Sequence, residues 1–315
     1  MIPFDSAAIA FLFPGQGSQS VGMGLDLADT YPSAREVFEK ADELLGFPLS
    51  RIAWEGPEEE LNDTINTQPA LLVHSFAVLR LLQEKFSAIR PAFVAGHSMG
   101  ELSALIASGS LSFEAALHLV RRRGELMKEA GVASPGGMAA VLGADIASLE
   151  QFCSQASTPD RMVQVANDNC PGQVVISGSS QALERAIDLA QQAGIRKIRP
   201  LAVSIAAHSP LMIHSQERFN QAVEDAGIAD PTIPLVGNVS ALPLSTAAEI
   251  KADLRLQLTS RVRWTESIQE MSRRGITTFF ELGNGSVLTG LLKRIDSNVK
   301  GISLGKPEDF EKLVS

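Results

Sequence analysis

The chain has 315 residues, long enough to bury a large core and divide into two lobes, and its 45% hydrophobic and 20% charged content is ordinary for a globular protein. A net charge of −9 argues against nucleic acid or an anionic membrane as the main partner. All apolar runs fall short of the ~18 residues of a membrane span. The two cysteines, Cys153 and Cys170, have neither metal-ligand spacing nor the number a disulfide framework needs, which points to a reducing compartment.

In chain order, the pattern begins with a strand over Ile9–Phe13. The apolar start Ala7–Phe13 has no basic segment ahead of it, so it reads as this strand and not as a signal peptide. A loop at Pro14–Gln19 follows, then helices near Ala34–Leu45 and Pro69–Phe86, a short strand ending at Gly96 with its own helix, and a helix from Phe113 to Ala130. This alternation predicts a parallel sheet covered by helices on both faces. Residues 131–203 break the rhythm. They read as strand Met138–Leu142, helix Ile146–Ser154, strands Met162–Ala166 and Gln173–Ser177, helix Gln181–Ala193 and strand Lys197–Val203. The order β-α-β-β-α-β is the ferredoxin-like pattern, here preceded by the turn-forming Ser134-Pro-Gly-Gly137. Alternation then resumes, with a helix from Pro210, a strand at Ile233–Val236, a helix near Arg263–Arg274, a strand at Thr277–Leu282 and a last helix near Ser286–Ile295. The expected fold is α/β: a parallel-sheet, α/β-hydrolase-like large lobe (residues 1–130 and 204–315) with an inserted ferredoxin-like small lobe (131–203).

The strongest chemical signal is Gly96-His-Ser-Met-Gly100 after the apolar run Ala92–Ala95. Leu102, Leu105 and Ile106 follow at i, i+3, i+4, so a helix starts where a strand-to-helix nucleophile elbow requires one. Side chains at 96 or 100 would collide with neighbouring backbone in such a turn. Ser98 would then stand at the carboxyl end of the sheet, facing a helix N-terminus.

A nucleophilic serine needs a base. Of the five histidines, His74, His97, His118, His208 and His214, His97 should point away from Ser98, and His74 and His118 lie inside helical patterns. His208 differs: it follows the strand-like Leu201–Ala207 and precedes Ser209-Pro210, which read as N-cap and N1 of the next helix. No acid is obviously placed as a third member, so a Ser–His dyad oriented by a neutral group and a full triad both stand.

Arg121-Arg122-Arg123 looks like a solvated run, yet Arg123 falls at +4 and +3 from Leu119 and Val120 and at −3 and −4 from Leu126 and Met127. It sits in the apolar stripe, where a guanidinium needs a partner: a buried carboxylate of the protein or that of a ligand. Gly15-Gln-Gly-Ser-Gln19 is no phosphate loop, because Ser20 stands where a dinucleotide fingerprint needs glycine and no Gly-Lys-Ser/Thr follows. A turn bringing backbone N–H groups to the top of the sheet fits it better.

These segments occur in a family order. Phe13-Pro-Gly-Gln-Gly-Ser-Gln19, Gly96-His-Ser-Met-Gly-Glu101, Arg123-Gly124, Asn169-Cys-Pro-Gly-Gln-Val-Val-Ile-Ser-Gly178, His208, Gln257-Leu-Thr259 and Val287-Leu-Thr-Gly-Leu-Leu-Lys-Arg294 run nearly end to end. The chain resembles the malonyl-CoA:acyl-carrier-protein transacylases of fatty-acid synthesis, which are related to polyketide synthase acyltransferase domains. The resemblance implies a cytoplasmic enzyme whose Ser98 carries the acyl ester, with His208 as its base. It implies an oxyanion hole from the backbone N–H groups of Gln16 and Met99, a bidentate pair between Arg123 and the malonyl carboxylate, and Gln257 orienting His208 through its carbonyl in place of an acid. The partners implied are acyl carrier protein and malonyl-CoA, a substrate; no cofactor or metal, nucleic acid or membrane is expected. Three departures stand out. Met99 replaces a common leucine, Ile205-Ala-Ala-His208 matches neither polyketide selectivity signature, and Asn284 replaces a frequent proline. A stand-alone polyketide-type acyltransferase with another acyl-CoA, a serine esterase or thioesterase, and an idle carrier-docking lobe are the alternatives.

Overall fold

The computed structural model describes residues 5–201, 203 and 205–313. Ten strands form two sheets: β1 (Ile9–Phe13), β2 (Phe93–Gly96), β3 (Gly136–Leu142), β4 (Val163–Cys170), β5 (Gln173–Ser179), β6 (Lys197–Pro200), β7 (Leu235–Val236), β8 (Pro243–Leu244), β9 (Thr278–Leu282) and β10 (Lys300–Leu304). The larger sheet has the order β10-β9-β1-β2-β7-β8 and is parallel except at β8. Its central strands read as continuous apolar runs because helices cover both faces: all five residues of β1 are buried. The smaller sheet, β4-β5-β3-β6, is antiparallel throughout and packs its own core, including Val141, Leu149, Val165 and Ile176, against the helices Ile146–Ala156 and Ser180–Gln192.

Register places the chemistry. Phe13 pairs with Gly96, so the loop after β1 and the turn after β2 leave the sheet side by side. Val236 pairs with Ala95, which brings the turn after β7 to the other flank of Ser98. Three loops thus meet at one carboxyl edge, where α/β folds place their ligands.

Some elements differ from the sequence expectation. The helix expected at Pro69–Phe86 runs from Thr64 to Lys85 with Pro69 inside it. Proline removes one rung of the helical ladder, freeing the Ile65 carbonyl, and Arg121 Nη1 donates to that carbonyl at 2.9 Å. The helix Ala247–Gln257 was not foreseen; its capping box, Thr246 with Glu249, was the available signal. The strand β10 and the helix Pro307–Glu311 lie beyond the helix expected to be last. The strand expected at Lys197–Val203 ends at Pro200. Ala202 and Ser204, within the expected Lys197–Val203 and Leu201–Ala207, fall outside the described residues, and Ile205–Ala207 is irregular.

The elbow gives a stability prediction. A Cβ on Gly96 would lie 2.0 Å from the Gly100 carbonyl, and one on Gly100 would lie 2.3 Å from the Phe13 carbonyl, both rigid backbone. Gly46, at φ +74°, has open space around it. Gly46→Ala should cost only ~1 kcal/mol for its left-handed conformation. Gly96→Ala should cost roughly 4 kcal/mol or more, because backbone must move. Denaturant unfolding of the two variants distinguishes them; equal losses would show that the elbow is not tightly packed.

Candidate active site

Ser98 and His208 meet although 110 residues separate them: Oγ lies 2.8 Å from Nε2. Both have left-handed backbones, φ +53° and +57°, which non-glycine residues seldom adopt. For Ser98 the cause is the elbow, with the helix Gly100–Ala107 starting directly behind it. His208 lies in the irregular segment after β6, and Ser209 caps the turn Pro210–Met212 as its position before proline suggested.

The His208 ring is oriented by a neutral group. Nδ1 lies 2.8 Å from the backbone carbonyl of Gln257, and a carbonyl can only accept. Nδ1 therefore carries the proton and Nε2 is left to accept from the serine hydroxyl. Of the alternatives the sequence left open, the geometry is that of a dyad. Burial, helped by the nearby Arg123 cation, pushes the His208 pKa down to about 3. The ring is 3% exposed and is neutral at rest.

Arg123 is 1% exposed. Its Nε donates to Gln257 Oε1 at 3.1 Å, Nη1 to Gln68 Oε1 at 2.9 Å and to Met127 Sδ at 3.2 Å, and Nη2 to Ser98 Oγ at 3.1 Å. These acceptors are all neutral. Desolvation lowers the Arg123 pKa only to about 10, so the group stays cationic. A relay continues from it: Gln68 Nε2 donates to Thr64 Oγ1 at 2.9 Å, and Thr64 Oγ1 to Gln16 Oε1 at 2.9 Å. Gln16 and Met99 line the same cavity as Ser98. The backbone N–H of neither residue has a hydrogen-bond partner among the described residues. The cavity has a volume of about 320 Å³, and Asn167 of β4 with Gln173 and Val175 of β5 form part of its wall.

Glu101 and Asn238 escaped the sequence reading. Glu101 looks like an ordinary first-turn acid, yet it is fully buried. It accepts from Gln257 Nε2 and, at 3.1 Å, from the Asn238 backbone N–H. Burial and the neighbouring Asp253 carboxylate push its pKa up to about 8. Asn238 accepts the Ser98 backbone N–H at 2.8 Å and donates to the Gly96 carbonyl at 2.7 Å, bracing the elbow. Of the remaining histidines, His97 turns away toward Asn169 Oδ1 at 2.8 Å and packs edge-on against Trp264, while His118 and His214 are exposed. His74 is buried in the core against the Gly305 carbonyl. Asn284 ties the last loop to the first, donating to the Ser18 carbonyl and Ser20 Oγ.

This site is a dyad-activated serine beside two free N–H groups and a buried cation, and the chain belongs to the acyl transferase domain family, whose model matches residues 10–303. It is 46% identical to the malonyl CoA-acyl carrier protein transacylase of Bacillus subtilis, over 97% of this chain and 96% of that protein. The crystal structure of a malonyl-CoA:acyl carrier protein transacylase from Xanthomonas oryzae superposes with a TM-score of 0.94 at 43% identity, covering 98% of this chain and 97% of that one. A malonyl-transacylase solved in complex with its type II PKS acyl-carrier protein superposes with a TM-score of 0.92 at 39% identity, covering 96% and 98%.

The depressed His208 pKa sets a pH prediction. Its cause, loss of solvation plus a like charge, disfavours the imidazolium, so the base stays neutral well below the ordinary value of 6.5. Labelling of Ser98 by a fluorophosphonate should show no acid limb between about pH 8 and about pH 5. An inflection near 6.5 would mean that His208 titrates as a free imidazole.

Proposed function

We propose that the protein moves a malonyl group from malonyl-CoA to the phosphopantetheine thiol of an acyl carrier protein through an ester on Ser98. The observation that carries this reading is the buried Arg123 cation, which touches Ser98 Oγ and has only neutral acceptors. In the first half-reaction the Ser98 hydroxyl gives its proton to His208 Nε2 as Oγ adds to the thioester carbonyl. The developing oxyanion takes the N–H groups of Gln16 and Met99. The C–S bond breaks and CoA leaves with the proton from His208. In the second half the carrier thiol gives a proton to His208 and attacks the ester, and Ser98 recovers its hydroxyl. Arg123 holds the malonyl carboxylate throughout, and the Gln257 carbonyl keeps the imidazole in the reactive tautomer. Neither half calls for a metal or a cofactor, since base, oxyanion donors and cation are all side chains or backbone.

A serine esterase would be expected to place a carboxylate on His208 Nδ1, where this site has the Gln257 carbonyl, and has no use for Arg123. A lobe that only docked carriers would not need a serine hydroxyl within hydrogen-bond reach of a neutral imidazole. Within this reading, residues 1–130 and 204–315 are the catalytic lobe, with the α/β-hydrolase-like elbow, and 131–203 the ferredoxin-like lobe; the order β4-β5-β3-β6 supports the latter. A cytoplasmic location goes with it, in keeping with the buried free thiols Cys153 and Cys170. Among the described residues no helix is long and apolar enough to cross a membrane.

Incubation with malonyl-CoA should add one malonyl to the peptide containing Ser98, read by mass spectrometry, and Ser98→Ala should abolish both adduct and transfer. A label on Cys170 instead would sink the mechanism.

The substrate assignment rests on Arg123→Ala. Removing one member of a buried pair costs roughly 3 kcal/mol or more, a loss of about two orders of magnitude for malonyl-CoA. Acetyl-CoA has no carboxylate and should not share that loss. The ratio of malonyl to acetyl rates cancels damage to the common framework. If it is unchanged, Arg123 is structural.

A further inference from the structure

The two loops that make the base are joined by a residue of the other lobe. Gln164 lies on β4 of the small lobe. Its single amide nitrogen donates to the His208 backbone carbonyl at 2.7 Å and to the Thr259 carbonyl at 2.8 Å. Both partners are acceptors, which fixes the amide with its nitrogen toward them and commits both its N–H bonds. One carbonyl belongs to the residue that carries the base. The other lies two residues beyond Gln257, whose carbonyl orients that base.

We infer that Gln164 is a positioning residue for His208, clamping the histidine loop to the Gln257 loop across the lobe boundary. The inference rests on the transacylase reading for its assay. Without the clamp, nothing else among the described residues contacts the His208 carbonyl. A left-handed histidine is an expensive conformation that persists only where its surroundings over-determine it. Relaxation at φ +57° would swing the imidazole relative to Ser98 Oγ, and general-base transfer requires hydrogen-bond reach, ≈ 2.6–3.2 Å. Arg123 Nη1 and the Gln16 side chain are held by other contacts, to Gln68 and Thr64, so binding of the acyl-CoA should be spared. The small lobe therefore shapes more than one wall of the cavity: its second strand also holds the base in register.

The test is a double-mutant cycle on malonylation of Ser98, followed by mass spectrometry in single turnover. Gln164→Ala should slow ester formation about tenfold or more, with half-saturation by malonyl-CoA changed less than about twofold. In a His208→Ala background the same substitution should change the residual rate less than about twofold, because the group it positions is gone. An equal loss in both backgrounds would make Gln164 merely structural and overturn the inference, as would a full rate in Gln164→Ala. If Gln164→Ala does not fold, Gln164→Glu, of the same length but with acceptors facing both carbonyls, replaces it with the same expectations. If the wild-type chain takes no malonyl on Ser98, the functional reading falls. The cycle is then run with a fluorophosphonate, whose reaction needs only Ser98 and its base.

Discussion

His208, Arg123 and Ser98 are all tied to Gln257. Its backbone carbonyl takes the His208 Nδ1 proton, its side-chain oxygen takes Arg123 Nε, and its side-chain nitrogen reaches both Glu101 and the Ser98 carbonyl. One residue thereby fixes the tautomer of the base, the rotamer of the cation and the elbow that carries the nucleophile. The position is completed by the end of the helix Ala247–Gln257, whose last turn is itself clamped: Gln216 accepts the Leu258 N–H and donates to the Leu254 carbonyl. Buried polar networks of this kind are rigid when every member is satisfied and costly when one is not. A change at 257 would therefore act on three catalytic groups at once.

The choice of amides around Arg123 has an electrostatic meaning. Gln68 and Gln257 satisfy the hydrogen-bonding geometry of the guanidinium without neutralising it, and its pKa of about 10 leaves it charged. A carboxylate in either place would have formed the planar bidentate pair that arginine favours and quenched the field. The nearby Glu101 has its pKa pushed up to about 8, and its two oxygens are engaged by Gln257 Nε2 and the Asn238 N–H. The Nη2 edge of the cation remains toward the cavity, on Ser98 Oγ. An incoming carboxylate gains a partner that no protein group has claimed as an ion pair. The same positive charge also disfavours the imidazolium of His208.

What was legible in the sequence had local causes. The elbow is written in Gly96 and Gly100 because the colliding atoms lie within a few residues or on the neighbouring strand. Arg123 betrayed itself by its phase within one helix, and His208 by the cap and proline that follow it. The groups that escaped act over long separations. Glu101 is 137 residues from the Asn238 N–H that it accepts, Asn238 is 140 residues from the Ser98 N–H, and Gln164 is 44 residues from the His208 carbonyl. No periodicity encodes such meetings. Pro69 misled for the same reason: local rules start a helix at a proline and do not carry one through it, and the compensation comes from Arg121 on a different helix. The helix Ala247–Gln257 is a different kind of miss, since its capping box was readable and only its weak apolar stripe was not persuasive.

Strain ties these points together. Among the described residues three non-glycine positions have positive φ: Ser98, His208 and Ala241. The first two are the hydrogen-bonded serine–histidine pair. The third lies in the turn after β7, closed by the Ala241 N–H on the Gly237 carbonyl, and that turn presents Asn238 to the elbow. Asp253 holds the same turn through the Val239 and Ser240 N–H groups. Conformations of this sort cost of order 1–3 kcal/mol each and survive only where neighbours over-determine them. Here the neighbours are identifiable: two glycines and Asn238 for the serine, Gln257 and Gln164 for the histidine, Asp253 for the turn. Among the described residues, positive φ at non-glycine positions is thus found only at Ser98, His208 and the turn that presents Asn238. These backbones hold Ser98 Oγ and His208 Nε2 at 2.8 Å, within the reach that proton transfer requires.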